Sequence, residues 1–395
     1  MEPPSRRFTA PLAVIFATLA VGGLWVMRVE PPLHAVPVNF DVLVFEKRQQ
    51  PDGAPLRTRY TGLAWVDSLM TMLVGAFMPG VAGRNANPQV WLQQWYFLTQ
   101  FFAVVCAWTI EAHRVGNQGR IIRFTGIFAL FYQTIGGAVI LPVYYLFWLF
   151  SASRKQNRSE SVASGGRHLS ASHAGALLPA VVLGYLVPTV ALYFPWDTVG
   201  ISFDSSRNGL QILAAIWQVA PLVPNLLVWL FASLGARSSS RKNAAGGDRE
   251  LAKMLSVHLL AGVFCAAAHG YFVYSCLRSA DPRLSLTSVL MPDRNTWKRD
   301  MAHGLLYLFQ WDFWICFAAT LLWCWVAVAD ARPVGAAGDA TSASGLLVVG
   351  LGIWVLSVIL GPGAAVSATW YWIDSQEQRR DLTARGSGER KSKAT

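Results

Sequence analysis

The chain has 395 residues, 53% of them hydrophobic and only 14% charged, against about 25% charged in an ordinary soluble domain, which excludes a water-soluble globule. Its 33 Lys and Arg against 22 Asp and Glu give a net charge of +11, yet these cations fall almost entirely between apolar runs, where they face lipid head groups, so the charge does not point to nucleic acid. Apolar runs long enough to cross a hydrocarbon core of about 30 Å recur from end to end, which excludes long disordered arms and a large soluble catalytic domain.

In chain order the runs are 8–27, 61–83, 91–112, 124–150, 174–195, 209–235, 251–275, 303–330 and 345–372. They predict an all-α fold, a polytopic transmembrane helix bundle of about eight or nine spans within residues 1–375, followed by a basic polar tail over 376–395. The first run, flanked by Arg6, Arg7 and Arg28, exceeds the ~7–15-residue core of a signal peptide and predicts a retained helix. Residues 28–60 carry Pro31, Pro32, Pro37, Pro51 and Pro55 and alternate from Val38 to Phe45; this predicts a short strand or ordered cap over one bundle mouth, with an irregular loop as the alternative. Segments 151–173 and 236–250, rich in Ser, Gly, Lys and Arg, read as flexible loops. No repeat shows at a fixed period. The five cysteines lie in or at the ends of apolar runs, without zinc or disulfide spacing, and read as small apolar side chains.

If nine spans alternate, one side of the membrane receives 20 of the 33 Lys and Arg, including the tail, and that side is predicted to be cytosolic. The terminal Lys391-Ser392-Lys393-Ala394-Thr395 resembles a dilysine retrieval signal, which predicts an integral multi-pass protein of the endoplasmic reticulum. The same alternation puts the sequon at Asn157 in the lumen, a possible glycosylation site.

Polar groups inside apolar runs are costly and mark pockets or pathways. Asp67, Glu111 and Asp312 are the acids within spans, whereas Asp197, Asp330 and Asp374 lie nearer span ends and read as solvated. At about 100° per residue, Gln93, Gln100 and Glu111 share one helix face with Trp108 close by. Gln211, Gln218 and Asn225 recur every seven residues, and His258, Cys265 and His269 share another face. Interhelical hydrogen bonding is the plain explanation of such stripes. The 17 Trp, 11 Tyr and 21 Phe supply interfacial belts and also crowd the acids: Trp65 by Asp67, Trp108 by Glu111, Trp311 and Trp314 around Asp312. A buried acid that protonates an alkene or epoxide, in a cavity whose aromatic faces stabilise the cation, is the equipment of polyene cyclisation. The predicted catalytic residues are therefore Asp312, Glu111 and Asp67, and the predicted substrate contacts are Trp108, Trp311, Trp314, Gln100, Gln218 and His269. Arg114, one turn beyond Glu111, makes Asp312 the better proton donor.

The sequence has no Asp-Asp-x-x-Asp or Asp-x-Asp-Asp motif, no clustered di-iron histidines, no P-loop and no GxGxxG after a strand. No cofactor and no metal are expected, which leaves proton-driven chemistry.

The layout resembles the fungal integral-membrane terpene cyclases of meroterpenoid pathways, of the ascofuranone and ascochlorin type. The likeness rests on the opening helix, Trp65-Val66-Asp67, Gln94-Trp95-Tyr96-Phe97, Trp108-Thr109-Ile110-Glu111-Ala112-His113, Tyr132-Gln133, Pro142-Val143-Tyr144-Tyr145 and Gln310-Trp311-Asp312. It implies protonation of a terminal epoxide or olefin on a farnesyl chain attached to an aromatic polyketide. A hydrophobic prenylated small molecule, the lipid bilayer and pathway enzymes in the same membrane are then the partners. Two other classes use the same residues: a secondary transporter with Glu111, Asp312 and the His258/His269 face as proton relay, and a membrane acyltransferase with a buried His as base.

Overall fold

Hydrocarbon offers no hydrogen bonds to the backbone, so a chain buried in it must be helical wherever it meets lipid. The computed structural model describes residues 4–154, 168–201, 203, 207–238, 246–331 and 343–376. These form α1 (Pro4–Leu24), α2 (Ala64–Val81), α3 (Pro88–His113), α4 (Thr125–Ile135), α5 (Gly137–Arg154), α6 (Ala171–Tyr193), α7 (Asn208–Val219), α8 (Val223–Ser238), α9 (Gly246–Arg278), α10 (Met301–Ala331), α11 (Ala343–Leu360) and α12 (362–376). Six helical stretches among the described residues are long and apolar enough to cross a membrane: Thr9–Leu33, Ala64–Val81, Ala171–Tyr193, Asn208–Gly235, Arg249–Arg278 and Met301–Ala331. The protein is thus an all-α polytopic bundle. At its centre stands α3, buried along almost its whole length, with Gln89, Gln93, Gln94 and Gln100 all inside.

Two of the predicted spans break in the middle. Run 124–150 divides at Gly136 (φ +118°) into α4 and α5, and run 345–372 divides at Gly361 (φ +91°) into α11 and α12. Both angles belong to the left-handed side of backbone space, which glycine enters without steric cost. Contacts fix the helix directions. α3 runs parallel to α10, with Gln89 against His303 and Phe97 against Phe313. α5 is also parallel to α10, from Ala138 at Asp312 to Trp148 at Trp323, while α4 folds back on α5 through Phe128 against Tyr144 and Phe147. α12 is antiparallel to α9, from Gly363 beside Cys265 to Asp374 at His258, and both Leu346 of α11 and Trp370 of α12 stand level with Trp323 and Trp325. Each pair is a re-entrant hairpin. It enters at the end of the bundle where α3 and α10 finish, turns at Asp312 of α10 in the first pair and at Gln100, midway along α3, in the second, and leaves by the same end.

The six helices long and apolar enough to cross do not confirm a count of eight or nine spans among the described residues. His168, on the far side of the 155–167 connection, accepts the Val115 N–H at 3.0 Å, and α12 ends against Arg114, so α6 begins and α12 ends at one face of the bundle. Asn157 and the Lys391/Lys393 tail lie outside the described residues.

At the opposite mouth, residues 28–60 run from the start of α10 to the start of α7. Val36 packs with Trp297 and Tyr307, Pro37 lies on Gly304, and the Arg57 N–H donates to Gln211 at 2.7 Å. The alternating stretch is not a strand. Val42–Lys47 is a π-helical turn, and the segment's only β pairing among the described residues is the isolated bridge Gln49 to Pro55. An alternating segment with no neighbour to pair satisfies its backbone helically, and Val44 then fits the notch left by Gly75 of α2.

The hairpin topology is testable by labelling single engineered cysteines, with an impermeant maleimide, in sealed microsomes. Ser170→Cys and Ser375→Cys should react from one side and Thr287→Cys from the other. Ser170→Cys and Ser375→Cys reacting from opposite sides would restore full crossing by α11 with α12.

Candidate active site between two hairpin tips

A helix that begins inside the bilayer exposes N–H groups that water cannot reach, so each hairpin tip needs an internal acceptor. At the first tip Asp312 Oδ1 accepts the Ala138 N–H at 2.5 Å and receives the Cys316 thiol at 3.5 Å. Arg28 completes this tip from the other side by donating to the carbonyls of Ile135 (2.8 Å) and Thr134 (2.6 Å), the last of α4. At the second tip Gln100 Oε1 accepts the Gly363 N–H at 2.9 Å while its Nε2 donates to the Cys265 carbonyl at 2.8 Å. A Cβ on Gly361 would stand 2.7 Å from Gln100 Oε1 and 2.9 Å from His269 Cβ. Asp312 is buried and has no ion-pair partner among the described residues.

Along α3, between the level of Asp312 and that of Glu111, runs a narrow aromatic cleft walled by Phe101, Val105, Trp108, Ala129, Tyr132 and Pro221. Its walls are braced from behind. Trp108 stacks on Tyr144 with centroids 4.0 Å apart and donates to Tyr145 OH at 3.4 Å. Phe101 meets Tyr132 edge-on at 5.4 Å, and Phe97, Phe313 and Phe317 continue the aromatic surface toward α10. Its polar edge is Asn225, whose Nδ2 donates to Thr125 at 2.7 Å and whose Oδ1 is unpartnered. Tyr132 also gives its carbonyl to the Gly136 N–H at 3.0 Å, which joins the cleft wall to the tip that Asp312 holds.

Beyond the other end of the cleft lies a buried ionic cluster. Arg114 donates through Nε to Glu111 and through Nη2 to Asp374 at 2.8 Å; His258 Nε2 stands 3.2 Å from Asp374, and Asn117 and Trp148 both donate to Glu111 Oε2, at 3.2 and 3.4 Å. Arg114 also lies 5.9 Å over the Trp370 ring. The structure therefore gives Asp374 a deep ion pair where its place at the end of a run suggested solvation, and it makes Arg114 the hub. No local signal in the sequence joins these residues, because Arg114 and Asp374 are 260 positions apart.

The remaining predicted site residues scatter. Asp67 accepts the N–H groups of Tyr60 (3.0 Å), Thr61 (2.7 Å) and Gly62 (3.0 Å) and the Thr61 hydroxyl (3.0 Å), so it organises the loop before α2 and does not line the cleft. Trp314 donates to the Leu290 carbonyl at 2.8 Å. Trp311 wedges between Met27 and Ile315 on one side and Tyr307 on the other. Gln218 receives Gln133 on its carbonyl at 2.8 Å, and His269 Nδ1 meets Tyr96 OH at 2.7 Å. The seven-residue amide stripe serves three separate partners, since the 3-10 turn Ala220–Leu222 separates α7 from α8. Outside the spans, burial works to raise the Asp300 carboxyl, but the hydrogen bonds and charge of His303 outweigh it and hold the group below its ordinary value. Among the described residues no three His, Cys, Asp or Glu side chains converge as a metal site.

Removing one partner of a buried ion pair strands the other, at a cost of about 3–5 kcal/mol. Arg114→Met should therefore lower the thermal midpoint of detergent-solubilised protein sharply, and Arg114→Lys by less. An unchanged midpoint for Arg114→Met would show that the cluster is not a structural hub.

The chain is 27% identical over 291 residues to the terpene cyclase ctvD of Aspergillus terreus, covering 70% of this chain and 76% of that one. It is 26% identical over 246 residues to the terpene cyclase DEP1 of Alternaria brassicicola, covering 61% of each, and 21% identical over 319 residues to the terpene cyclase ascI of Acremonium egyptiacum, covering 79% and 78%. No solved structure matches. The sequence profile of the CtvD domain matches residues 41–375, from the cap through both hairpins to the ionic cluster, and the chain belongs to the CtvD domain family.

Proposed function

We propose that the protein is a membrane-bound terpene cyclase of meroterpenoid secondary metabolism, working in the endoplasmic reticulum. It protonates an epoxide or olefin on a farnesyl chain carried by an aromatic polyketide and guides the cation to ring closure. The observation that carries this reading is a buried carboxyl without an ion pair among the described residues, Asp312, holding a helix tip that is joined through the Tyr132 carbonyl to the wall of an aromatic cleft. Relatives named terpene cyclases support it.

In this reading Asp312 divides its work between two oxygens. Oδ1 is fixed by the α5 N-terminus, and the other oxygen carries the proton. The proton passes to the epoxide oxygen or the terminal alkene carbon; the C–O or π bond breaks, and an internal alkene or oxygen closes the ring on the cation. A final proton loss leaves a product isobaric with the substrate. Phe101, Trp108 and Tyr132 present π faces to the cation. Glu111, held by Arg114, remains a carboxylate that stabilises positive charge from the far end. The cleft as it stands is too narrow to enclose a farnesyl chain, so in this reading α4 and α8 part as substrate enters. Ile127, Leu130 and Phe131 expose α4 toward lipid, the phase in which such a substrate dissolves.

The re-entrant hairpins also favour a second reading, proton-coupled transport, because broken helices that meet at mid-membrane build carrier sites. Product analysis separates the two, since a carrier returns its cargo unchanged.

Asp312→Asn keeps an acceptor oxygen for the Ala138 N–H and loses only the acidic proton. Microsomes with this variant should make about 10²–10⁴-fold less cyclised product from a farnesylated phenol epoxide, with unchanged thermal midpoint, whereas Asp312→Ala should lose both. Parental turnover by Asp312→Asn would remove Asp312 from the chemistry.

Metal independence is part of the proposal and rests on the absent aspartate-rich motifs. Turnover should persist in excess EDTA; loss with EDTA and recovery with Mg²⁺ would point to diphosphate chemistry instead.

A further inference from the structure

The proposed mechanism leaves unused a buried carboxylate at the opposite mouth. Glu30 follows Met27 by one turn, and Met27 packs against the Gly136 tip, its Cε 3.2 Å from where a Cβ on that glycine would lie. Glu30 is therefore a near neighbour of the Asp312 tip. One oxygen of Glu30 pairs with Arg294; the other, Oε2, is enclosed and has no hydrogen-bond partner. A lone buried carboxylate oxygen is expensive, and native structures leave few such groups without a role.

The surroundings specify what would satisfy it. Arg294 also donates to Tyr307 OH at 3.3 Å, and its guanidinium lies 6.0 Å over Trp297. Trp297 packs on Tyr307 at 4.7 Å, Tyr307 on Trp311 at 6.4 Å, and His34 on Trp297 at 5.2 Å. In the same wall the indole N–H of Trp311 is buried without an acceptor. The corner thus holds one unpartnered acceptor and one unpartnered donor, both enclosed among aromatic side chains. Its cations, Arg294 and Lys298, stand at the rim, where the Arg294 side chain is 63% exposed.

We infer that Glu30 is a specificity-determining residue: Glu30 Oε2 accepts the hydroxyl of a hydroxylated aromatic head, with Trp311 Nε1 as the complementary donor, while the apolar chain of the same ligand reaches past the Asp312 tip. The identity of the ligand rests on the cyclase reading; the site itself does not. An anionic head group is disfavoured there by Glu30, and an O-alkylated head has no proton to give.

The test compares binding of a farnesylated phenol and of its O-methyl ether to detergent-solubilised full-length protein, read by quenching of tryptophan fluorescence. The parental protein should prefer the phenol by about 10- to 100-fold, the range for a hydrogen bond to a charged group. Glu30→Gln, which keeps a neutral acceptor and loses the charge, should cut that preference to a few-fold while leaving ether binding unchanged. Trp311→Phe, which keeps an aromatic ring and loses only the donor, should reduce the preference and carries the test if Glu30→Gln does not insert. Equal affinities in the parental protein, or equal weakening of both ligands by Glu30→Gln, would overturn the inference. A parental protein that shows the Glu30-dependent preference yet yields no cyclised product would uphold the hydroxyl site and sink the cyclase reading.

Discussion

The structure depends on one constraint, that backbone N–H groups released inside a bilayer must find an acceptor within the protein. Gly136 and Gly361 interrupt apolar runs at buried positions inside the bundle, and each break starts a new helix. Asp312 and Gln100 supply the missing acceptors, and Arg28 supplies the matching donor for the carbonyls that α4 leaves behind. The cleft follows from this. Because α4 stops at mid-bundle, the space between α3, α4 and the α7–α8 bend is bounded by aromatic side chains without a further helix crossing it. The return of α12 from the second tip likewise brings Asp374 to Arg114.

Asp312 meets two demands that usually conflict. A side chain fixed by a helix terminus is well positioned, which favours catalysis, but structural use of a carboxyl commonly consumes its chemical freedom. A carboxyl has two oxygens, and the tip occupies one. The Glu111–Arg114–Asp374–His258 cluster makes the opposite choice: its carboxylates are committed to a guanidinium, and its value lies in register. Buried ion pairs add little net stability against apolar replacements, but they penalise any arrangement that separates them. Here that penalty locks the end of α3 to α9 and to the returning α12.

The aromatic residues divide by environment. Trp25, Trp65, Trp229 and Trp354 are exposed, as expected of side chains facing lipid and interface. Trp108, Trp217 and Trp323 are inside and stack on Tyr144, Phe77 and Tyr145. Trp65 and Trp108 had equal claims to accompany a buried acid; α2 turns Trp65 outward while its neighbour Asp67 binds the loop of residues 60–62, and Trp108 lines the cleft while Trp148 bonds Glu111.

The sequence by itself determined the all-α membrane class, the interior positions of most polar side chains and the pairing of Arg114 with Glu111. Hydropathy is a sum over neighbours in the chain, and a pair three residues apart on a helix meets wherever the helix goes. Tertiary structure decided the rest. A run of about 27 apolar residues reads the same whether it crosses the bilayer or turns back at a glycine, since the φ of Gly136 has no hydropathy. For the same reason Asp312 and Gln100 were legible as buried polar groups but not as caps, Asp374 was placed at a water-facing end, and Glu30 carried no signal at all. Their partners lie 260 and more than 260 positions away in the chain, and only packing brings such partners together.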